Sequence, residues 1–87
     1  MIVTKYFLQN VLPKRPFLKV AWCEKIVASP LATETQPDGR IRYWGIVPEV
    51  KGKIKVLRVV VKPDGTLMNA FLDRDYQMKH YPNGVLP

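Results

Sequence analysis

The sequence has little of what most enzymes use for catalysis. Among its 87 residues there is one cysteine, Cys23, and one histidine, His80, and only seven acidic side chains accompany fourteen basic ones. One cysteine cannot close an internal disulfide, and with one histidine and no cluster of carboxylates it makes no metal-binding pattern. We therefore predict no disulfide, no metal and no cofactor. A lone free thiol is typical of a reducing, cytoplasmic compartment.

Long apolar runs are missing as well. The first apolar stretch, residues 6–12, is interrupted by Gln9 and Asn10 and stops at Pro13, unlike the continuous core of a signal peptide. No run reaches the length of a membrane span, so we expect no membrane partner. A composition of 47% hydrophobic and 10% aromatic residues predicts instead one folded domain over residues 1–87.

Two helices are predicted before the first strand. Thr4 can cap a helix over residues 5–12, where apolar side chains recur every three or four positions, although a strand is a competing interpretation. Pro16 suits the first turn of a second helix, but no capping residue stands before it, so its start is left open. An apolar stripe along residues 18–28 supports that helix, which Pro30 ends.

From residue 32 the hydrophobic pattern alternates, which predicts an antiparallel meander of three or four strands over residues 32–75. Pro-Asp-Gly turns at residues 37–39 and 63–65 separate the strands. If Lys62 lies opposite Thr66, the residue pairs between the two strands that flank the second turn are fixed. The shared faces would then be Leu57, Val59 and Val61 with Phe71, Asn69 and Leu67, and Val56, Arg58 and Val60 with Leu72, Ala70 and Met68.

The predicted fold is therefore α+β, with a helical segment at residues 4–30 packed on the sheet and a C-terminal segment of undetermined order at residues 76–87. The strand at residues 53–62 is apolar on both faces, and two short helices can cover only one of them. We expect a partner protein, a second copy of the chain or the C-terminal segment to cover the other.

Positive charge is concentrated in the middle of the sheet. Residues 40–62 hold seven cations and one anion, so they contribute six of the formal net charge of +7. Because this segment is also predicted to be folded, its cations are expected on a structured surface. That distribution favours an anionic partner, with RNA or DNA first.

Several stretches resemble short uncharacterised bacterial proteins that share a domain of unknown function. The likeness covers roughly residues 4–75 and includes Trp-Cys-Glu at residues 22–24, PDGRIRYW at residues 37–44, LRVV at residues 57–60 and NAFLDR at residues 69–74. That architecture is similar in turn to the RelE and BrnT toxins, small ribonuclease-like α+β domains. The resemblance implies RNA or ribosome binding and an acidic antitoxin-like partner.

Arginine side chains are the main candidates for contacts with phosphate. Arg40 and Arg42 alternate onto one strand face with Trp44, which would place phosphate-binding forks beside a surface for base stacking, although solvated strand residues are an equally good interpretation. Arg58 lies in an otherwise apolar strand and requires a partner, either Asp73 or Glu49, or else an anionic ligand.

The leading hypothesis is a RelE-like nucleic-acid-binding domain, with metal-independent RNA cleavage as its enzymatic form. The alternative is a non-enzymatic binding module or homodimer that docks an acidic protein. Cys23 is predicted to be an inert core thiol and His80 to have no role. The predicted site residues are Arg42, Arg58 and Tyr43 for catalysis, and Arg40, Trp44, Lys53, Lys55 and Arg74 for nucleic-acid binding.

Overall fold

The computed structural model describes the backbone of residues 1–50 and 53–82, and the side chains of residues 1–47 and 54–82. Helices pack on one four-stranded antiparallel sheet, which confirms the α+β class. The elements are a π-helix at Phe7–Val11, then α1 (Val20–Ala28), β1 (Ala32–Thr35), β2 (Ile41–Val50), β3 (Lys53–Val61), β4 (Leu67–Leu72) and α2 (Arg74–His80).

The strands form a meander in chain order, and two Pro-Asp-Gly turns hold its outer hairpins. Gly39 and Gly65 have φ of 88° and 86°, a left-handed conformation in which a side chain would be strained. In each turn the preceding aspartate, Asp38 or Asp64, accepts a hydrogen bond of 3.0 Å from the backbone N–H two residues on. The turn residues seen in the sequence therefore close the hairpins as predicted.

The N-terminal segment starts where the sequence indicated but coils differently. The Thr4 hydroxyl accepts a hydrogen bond of 3.0 Å from Phe7 N–H, as expected of a cap. The turns that follow form a five-residue π-helix, which buries Phe7 and Val11. Just before it, Val3 forms a parallel bridge with Leu67 and so extends the sheet beyond β4.

Helix α1 begins at Val20, four residues after Pro16. Its N-terminal flanking residue, Lys19, has an extended backbone and makes no side-chain capping bond, in line with the missing cap in the sequence. Cys23 and Ile26 are buried on the side that faces the sheet. We call the sheet face beneath the π-helix and α1 the helix face. Its core comprises Phe7, Val11, Leu18, Cys23, Ile26, Val47, Leu57, Val59, Val61, Leu67 and Ala70.

A β-bulge makes the predicted pairing of β3 with β4 wrong beyond its first two residue pairs. Lys62 N–H does donate to the Thr66 carbonyl at 2.9 Å, as expected. Val61 then pairs with Leu67 but Val60 pairs with Asn69, so Met68 has no partner opposite it. One extra residue moves all later side chains to the other face. Ala70 and Leu72 therefore join the helix face, while Asn69 and Phe71 join Val60 and Arg58 on the opposite one.

We call that opposite side of the sheet the arginine face, and α2 covers part of it. Beneath α2, Val56 is fully buried and Trp44 is 8% exposed. A partner protein, a second copy of the chain and the C-terminal segment were the three alternative covers expected for this face. The C-terminal segment covers part of it, as a helix that the sequence did not predict. Alternation and pairing place Glu34, Arg42, Trp44, Ile46, Val56, Arg58, Val60, Asn69 and Phe71 on the arginine face.

The helices are short. Helix α1 has nine residues and α2 has seven. Across the parts of the chain that the structure describes, none of the helices has the length and apolar character needed to cross a membrane.

Close packing between α1 and β2 predicts that Gly45→Ala destabilises the fold. A Cβ atom at residue 45 would lie 2.4 Å from Ile26 Cγ1, so either the helix or the strand must shift. Overpacking of this kind costs about 1–3 kcal/mol in the free energy of unfolding. Urea unfolding measures the loss, with the exposed Thr33→Ala as the control. Because Ile26→Ala removes the clash, the double variant should lose less than the two single losses combined; strictly additive losses would contradict this packing.

Candidate anion-binding site

Three arginines line one shallow depression on the arginine face. Arg42 comes from β2 and Arg58 from the neighbouring β3, while Arg40 stands at the end of the turn that leads into β2. The antiparallel pairing places Arg58 opposite Trp44. Trp44 follows Arg42 by two residues on β2, so all three side chains lie on the same face of the sheet. We call this concave site the arginine depression. Its lining residues are Gln36, Arg40, Arg42, Arg58, Val60, Met68, Asn69 and Phe71.

Arg42 is held by two side chains at the β1 edge. Its Nη1 donates a 2.8 Å hydrogen bond to Glu34 Oε1, across the strand pair that joins Glu34 to Arg42. With the Gln36 amide oriented so that its oxygen faces the arginine, that oxygen accepts from Nη2 at 2.7 Å and from Nε at 3.2 Å. The guanidinium is therefore fixed in position before any ligand arrives.

Arg40 is held more loosely. Its Nε lies 3.4 Å from Asp38 Oδ2, and both side chains are largely exposed. An exposed ion pair of this kind contributes little to stability, because water and salt screen it. Arg40 can therefore turn toward a ligand in the arginine depression at small energetic cost.

Arg58 is the most buried of the three arginines and the least satisfied. Its guanidinium carbon lies 4.3 Å from the centre of the Phe71 ring, a cation–π contact that the bulge in β4 makes geometrically available. Its Nε lies 3.6 Å from Asp73 Oδ2, which makes Asp73 one of the two acidic partners expected from the sequence; the side chain of the other, Glu49, lies outside the described residues. That Nε is buried, and it finds no hydrogen-bond acceptor among the side chains and backbone that the structure describes.

Asp73 connects β2, β3 and α2 through one carboxylate. Oδ2 accepts a 2.9 Å hydrogen bond from Trp44 Nε1, and Oδ1 accepts one of 2.9 Å from Tyr76 N–H, which caps α2. Burial by itself would raise the pKa of Asp73, but the hydrogen bonds from Tyr76 and Trp44 and the charge of Arg58 outweigh it, so its pKa lies below the ordinary value of 3.8. The ionised form is therefore favoured in the folded protein.

Trp44 lies on the predicted face, but α2 covers it. The Tyr76 ring stacks on the Trp44 ring with centroids 5.3 Å apart and planes at 15°. The His80 ring centroid lies 4.2 Å from that of Tyr76, with the planes tilted by 32°. In this conformation the indole that was expected to stack a base is already stacked.

The remaining predicted site residues lie away from the arginine depression. Tyr43 sits on the helix face, where it packs against the core, so the structure does not bring it together with Arg42 and Arg58 as a proton-transfer group. Lys55 pairs with Val47 and also belongs to the helix face. The reason in both cases is strand alternation: each is an odd number of residues from an arginine on its own strand.

Two further predicted contacts have different outcomes. Arg74 is exposed at the first turn of α2 and does not line the arginine depression. The side chain of Lys53 lies outside the described residues, so its predicted contact with nucleic acid stays a prediction.

Five of the eight side chains that line the depression were not among the predicted site residues: Gln36, Val60, Met68, Asn69 and Phe71. From the sequence, Gln36 was assigned only to a turn. Its position just before the tight turn at residues 37–39, however, already places it opposite the start of β2 and close to the arginines there. Phe71 was predicted to share a face with Leu57, Val59 and Val61, because nothing in the sequence indicates the bulge at Met68. Asn69 Oδ1 accepts a 2.9 Å hydrogen bond from Ala70 N–H, so this oxygen is already satisfied within the protein.

The arginine depression offers hydrogen-bond donors but no evident group for moving protons. Among the described residues that line it there is no histidine, tyrosine, cysteine or carboxylate. Burial raises the pKa of the Cys23 thiol to about 12 on the far side of the sheet, which confirms it as an unreactive core group. Burial also raises the pKa of Tyr76, with smaller contributions from Tyr81 and Asp73, which makes its phenol a poorer acid. The described residues contain no cluster suited to a metal ion.

Comparisons with known proteins add no relative from which a role can be transferred. The chain matches no model of a protein family, no curated protein and no solved structure. The chemistry of the arginine depression is therefore the basis for any functional proposal.

The pKa of Asp73 predicts an acid-induced loosening of α2. A carboxyl group whose pKa is lowered by folding stabilises the folded state above its unfolded pKa, and this contribution is lost as the pH falls through the folded value. The Tyr76–Trp44 contact should therefore persist at neutral pH and weaken below about pH 4. Trp44 emission, measured in a Trp22→Phe background, reports the transition.

Two variants show whether Asp73 is responsible. Asp73→Asn keeps the shape of the side chain but cannot ionise, so the Trp44 transition should shrink or disappear. Asp64→Asn is the control, because hydrogen bonds from Thr66 also lower the pKa of Asp64, but in a turn away from Trp44. An unchanged Trp44 titration in Asp73→Asn would contradict this assignment.

Proposed function

We propose that the protein is a small RelE-like domain that binds RNA through the arginine depression. The observation that carries the proposal is the convergence of Arg40, Arg42 and Arg58 on one concave site from three separate chain positions. Guanidinium groups present planar forks of N–H donors that match phosphate oxygens. A polyanion with regularly spaced phosphates fits such a site better than a neutral ligand does.

The acidic neighbours of the three arginines do not exhaust their donors. Each guanidinium carries several N–H groups, and Asp73 approaches only the Nε of Arg58, at a distance beyond a hydrogen bond. Asp38 likewise approaches only the Nε of Arg40. The Nη groups of Arg40 and Arg58 therefore remain for phosphate oxygens, while Arg42, which bonds to Glu34 and Gln36, keeps fewer free donors.

The net positive charge of the whole chain attracts a polyanion, although the arginines of the depression are locally paired with carboxylates. The arginines of the depression each have one carboxylate nearby, so the immediate cluster is close to neutral. The chain as a whole carries a formal charge of +7, which attracts a polyanion over a distance of about 10 Å at moderate salt. The arginine depression would then supply the specific contacts after encounter.

Binding is better supported than cleavage. RNA hydrolysis without a metal requires groups that take and give protons next to the phosphate, and the described lining of the depression has none. Tyr43, the proton-transfer residue expected from the sequence, lies on the helix face. Ribonuclease activity and the association with ribosomes or an acidic antitoxin-like protein therefore stay predictions.

RNA binding tests the proposal through Arg42→Ala, which removes one phosphate contact. We expect the affinity for a short single-stranded RNA to fall about tenfold, as for the loss of one charge-assisted hydrogen-bonding group, and the slope of log K against log salt to flatten by about 0.7. Lys25→Ala removes the same charge from α1 on the helix face and should change the affinity little. Fluorescence anisotropy at several salt concentrations measures both quantities.

Arg58→Lys provides a second test that keeps the charge but removes the fork. We expect it to weaken RNA binding more than Lys25→Ala does, because the ammonium group cannot form the planar contact. Equal effects of Arg42→Ala and Lys25→Ala, together with no effect of the charge-conserving Arg58→Lys, would show that only net charge matters, which contradicts a site in the depression. The same samples, analysed on a denaturing gel, show whether the RNA is cut.

A further inference from the structure

The Tyr76 ring lies on Trp44 in the way that a nucleobase stacks on an aromatic side chain. The two rings are nearly parallel, with a centroid separation of 5.3 Å. Trp44 is the cross-strand partner of Arg58, which lines the arginine depression, so the covered indole lies one residue pair away from it. Bases of single-stranded nucleic acid commonly bind by stacking on aromatic rings beside cationic groups that hold the backbone.

Helix α2, which carries Tyr76, is attached to the sheet by few contacts. None of its seven residues is buried, and Met78 is 56% exposed. The attachment includes the Tyr76 ring on Trp44, the Asp73 cap and a 2.8 Å hydrogen bond from Asp73 N–H to the Val56 carbonyl. A short helix with so little buried surface opens at a small cost in free energy compared with the core.

The Asp73 carboxylate links the position of α2 to Arg58. It approaches Arg58 Nε at 3.6 Å while it accepts hydrogen bonds from Trp44 Nε1 and from the first turn of α2. A phosphate that binds Arg58 is a second anion beside that carboxylate, and it competes for the same guanidinium. Repulsion between the two anions weakens the bond that caps α2.

We propose that Trp44 is a covered stacking site for an unpaired nucleobase, and that Tyr76 occupies it until single-stranded RNA binds. The inference rests on the proposed RNA-binding function and adds the class of ligand: a strand whose phosphate binds Arg42 and Arg58 and whose adjacent base replaces the Tyr76 ring. Double-stranded RNA, whose bases are already stacked, gains nothing from the exposed indole.

Tyr76→Ala tests the inference because it uncovers Trp44 without touching the arginine depression. We expect the affinity for single-stranded RNA to rise about tenfold, since a stacked base no longer has to displace the tyrosine, and the affinity for double-stranded RNA to stay within about twofold. Met78→Ala alters an exposed side chain of the same helix and is the matched control. Adding Trp44→Leu to Tyr76→Ala should abolish the gain.

Fluorescence provides a second measurement, which does not require the Tyr76→Ala substitution. In a Trp22→Phe background Trp44 is the only tryptophan, and a base stacked on it should quench its emission when single-stranded RNA binds but not when double-stranded RNA binds. The absence of such quenching, or an unchanged affinity of folded Tyr76→Ala, overturns the stacking site. If the parent protein binds neither RNA, the RNA-binding proposal itself fails, which is a separate result.

Discussion

The arrangement of the arginine face depends on the carboxylate of Asp73. It binds the indole of Trp44 on β2, approaches the guanidinium of Arg58 on β3 and caps α2 through Tyr76 N–H. Three chain segments that are distant in sequence are therefore tied to one ion. Because the carboxylate is partly buried among donors, removing the side chain leaves the Trp44 indole N–H and the Tyr76 N–H without their acceptor and Arg58 without its counter-charge.

By capping α2, Asp73 helps to cover the second apolar face of β3. The alternating positions of β3 are apolar on both sides, so the sheet must be covered twice. The π-helix and α1 cover the buried core on one face, whereas α2 is short and covers the other face around Trp44 and Val56. What stays open is the stretch where Arg42 and Arg58 interrupt the apolar pattern. The arginine depression thus exists where the apolar cover stops.

Local features of the fold could be predicted because they depend on a few neighbouring residues. Proline, aspartate and glycine in succession specify the two tight turns, and Thr4 specifies the N-terminal cap. That Arg58 requires an anionic partner was also foreseeable, and Asp73 was one of the two acidic candidates. The bulge at Met68 was not foreseeable, because no particular residue type marks an extra residue in a strand. It reversed the faces assigned to Phe71 and Asn69.

The amino-acid sequence by itself determined the α+β class, the positions of the turns and the concentration of cations between residues 40 and 62, because each follows from residue type and spacing. Only the tertiary structure decided which cations meet. Strand register placed Arg42 beside Arg58 and sent Tyr43 and Lys55 to the other face, and the docking of α2 covered Trp44. Register and docking arise from contacts between distant segments, and a linear pattern does not contain them.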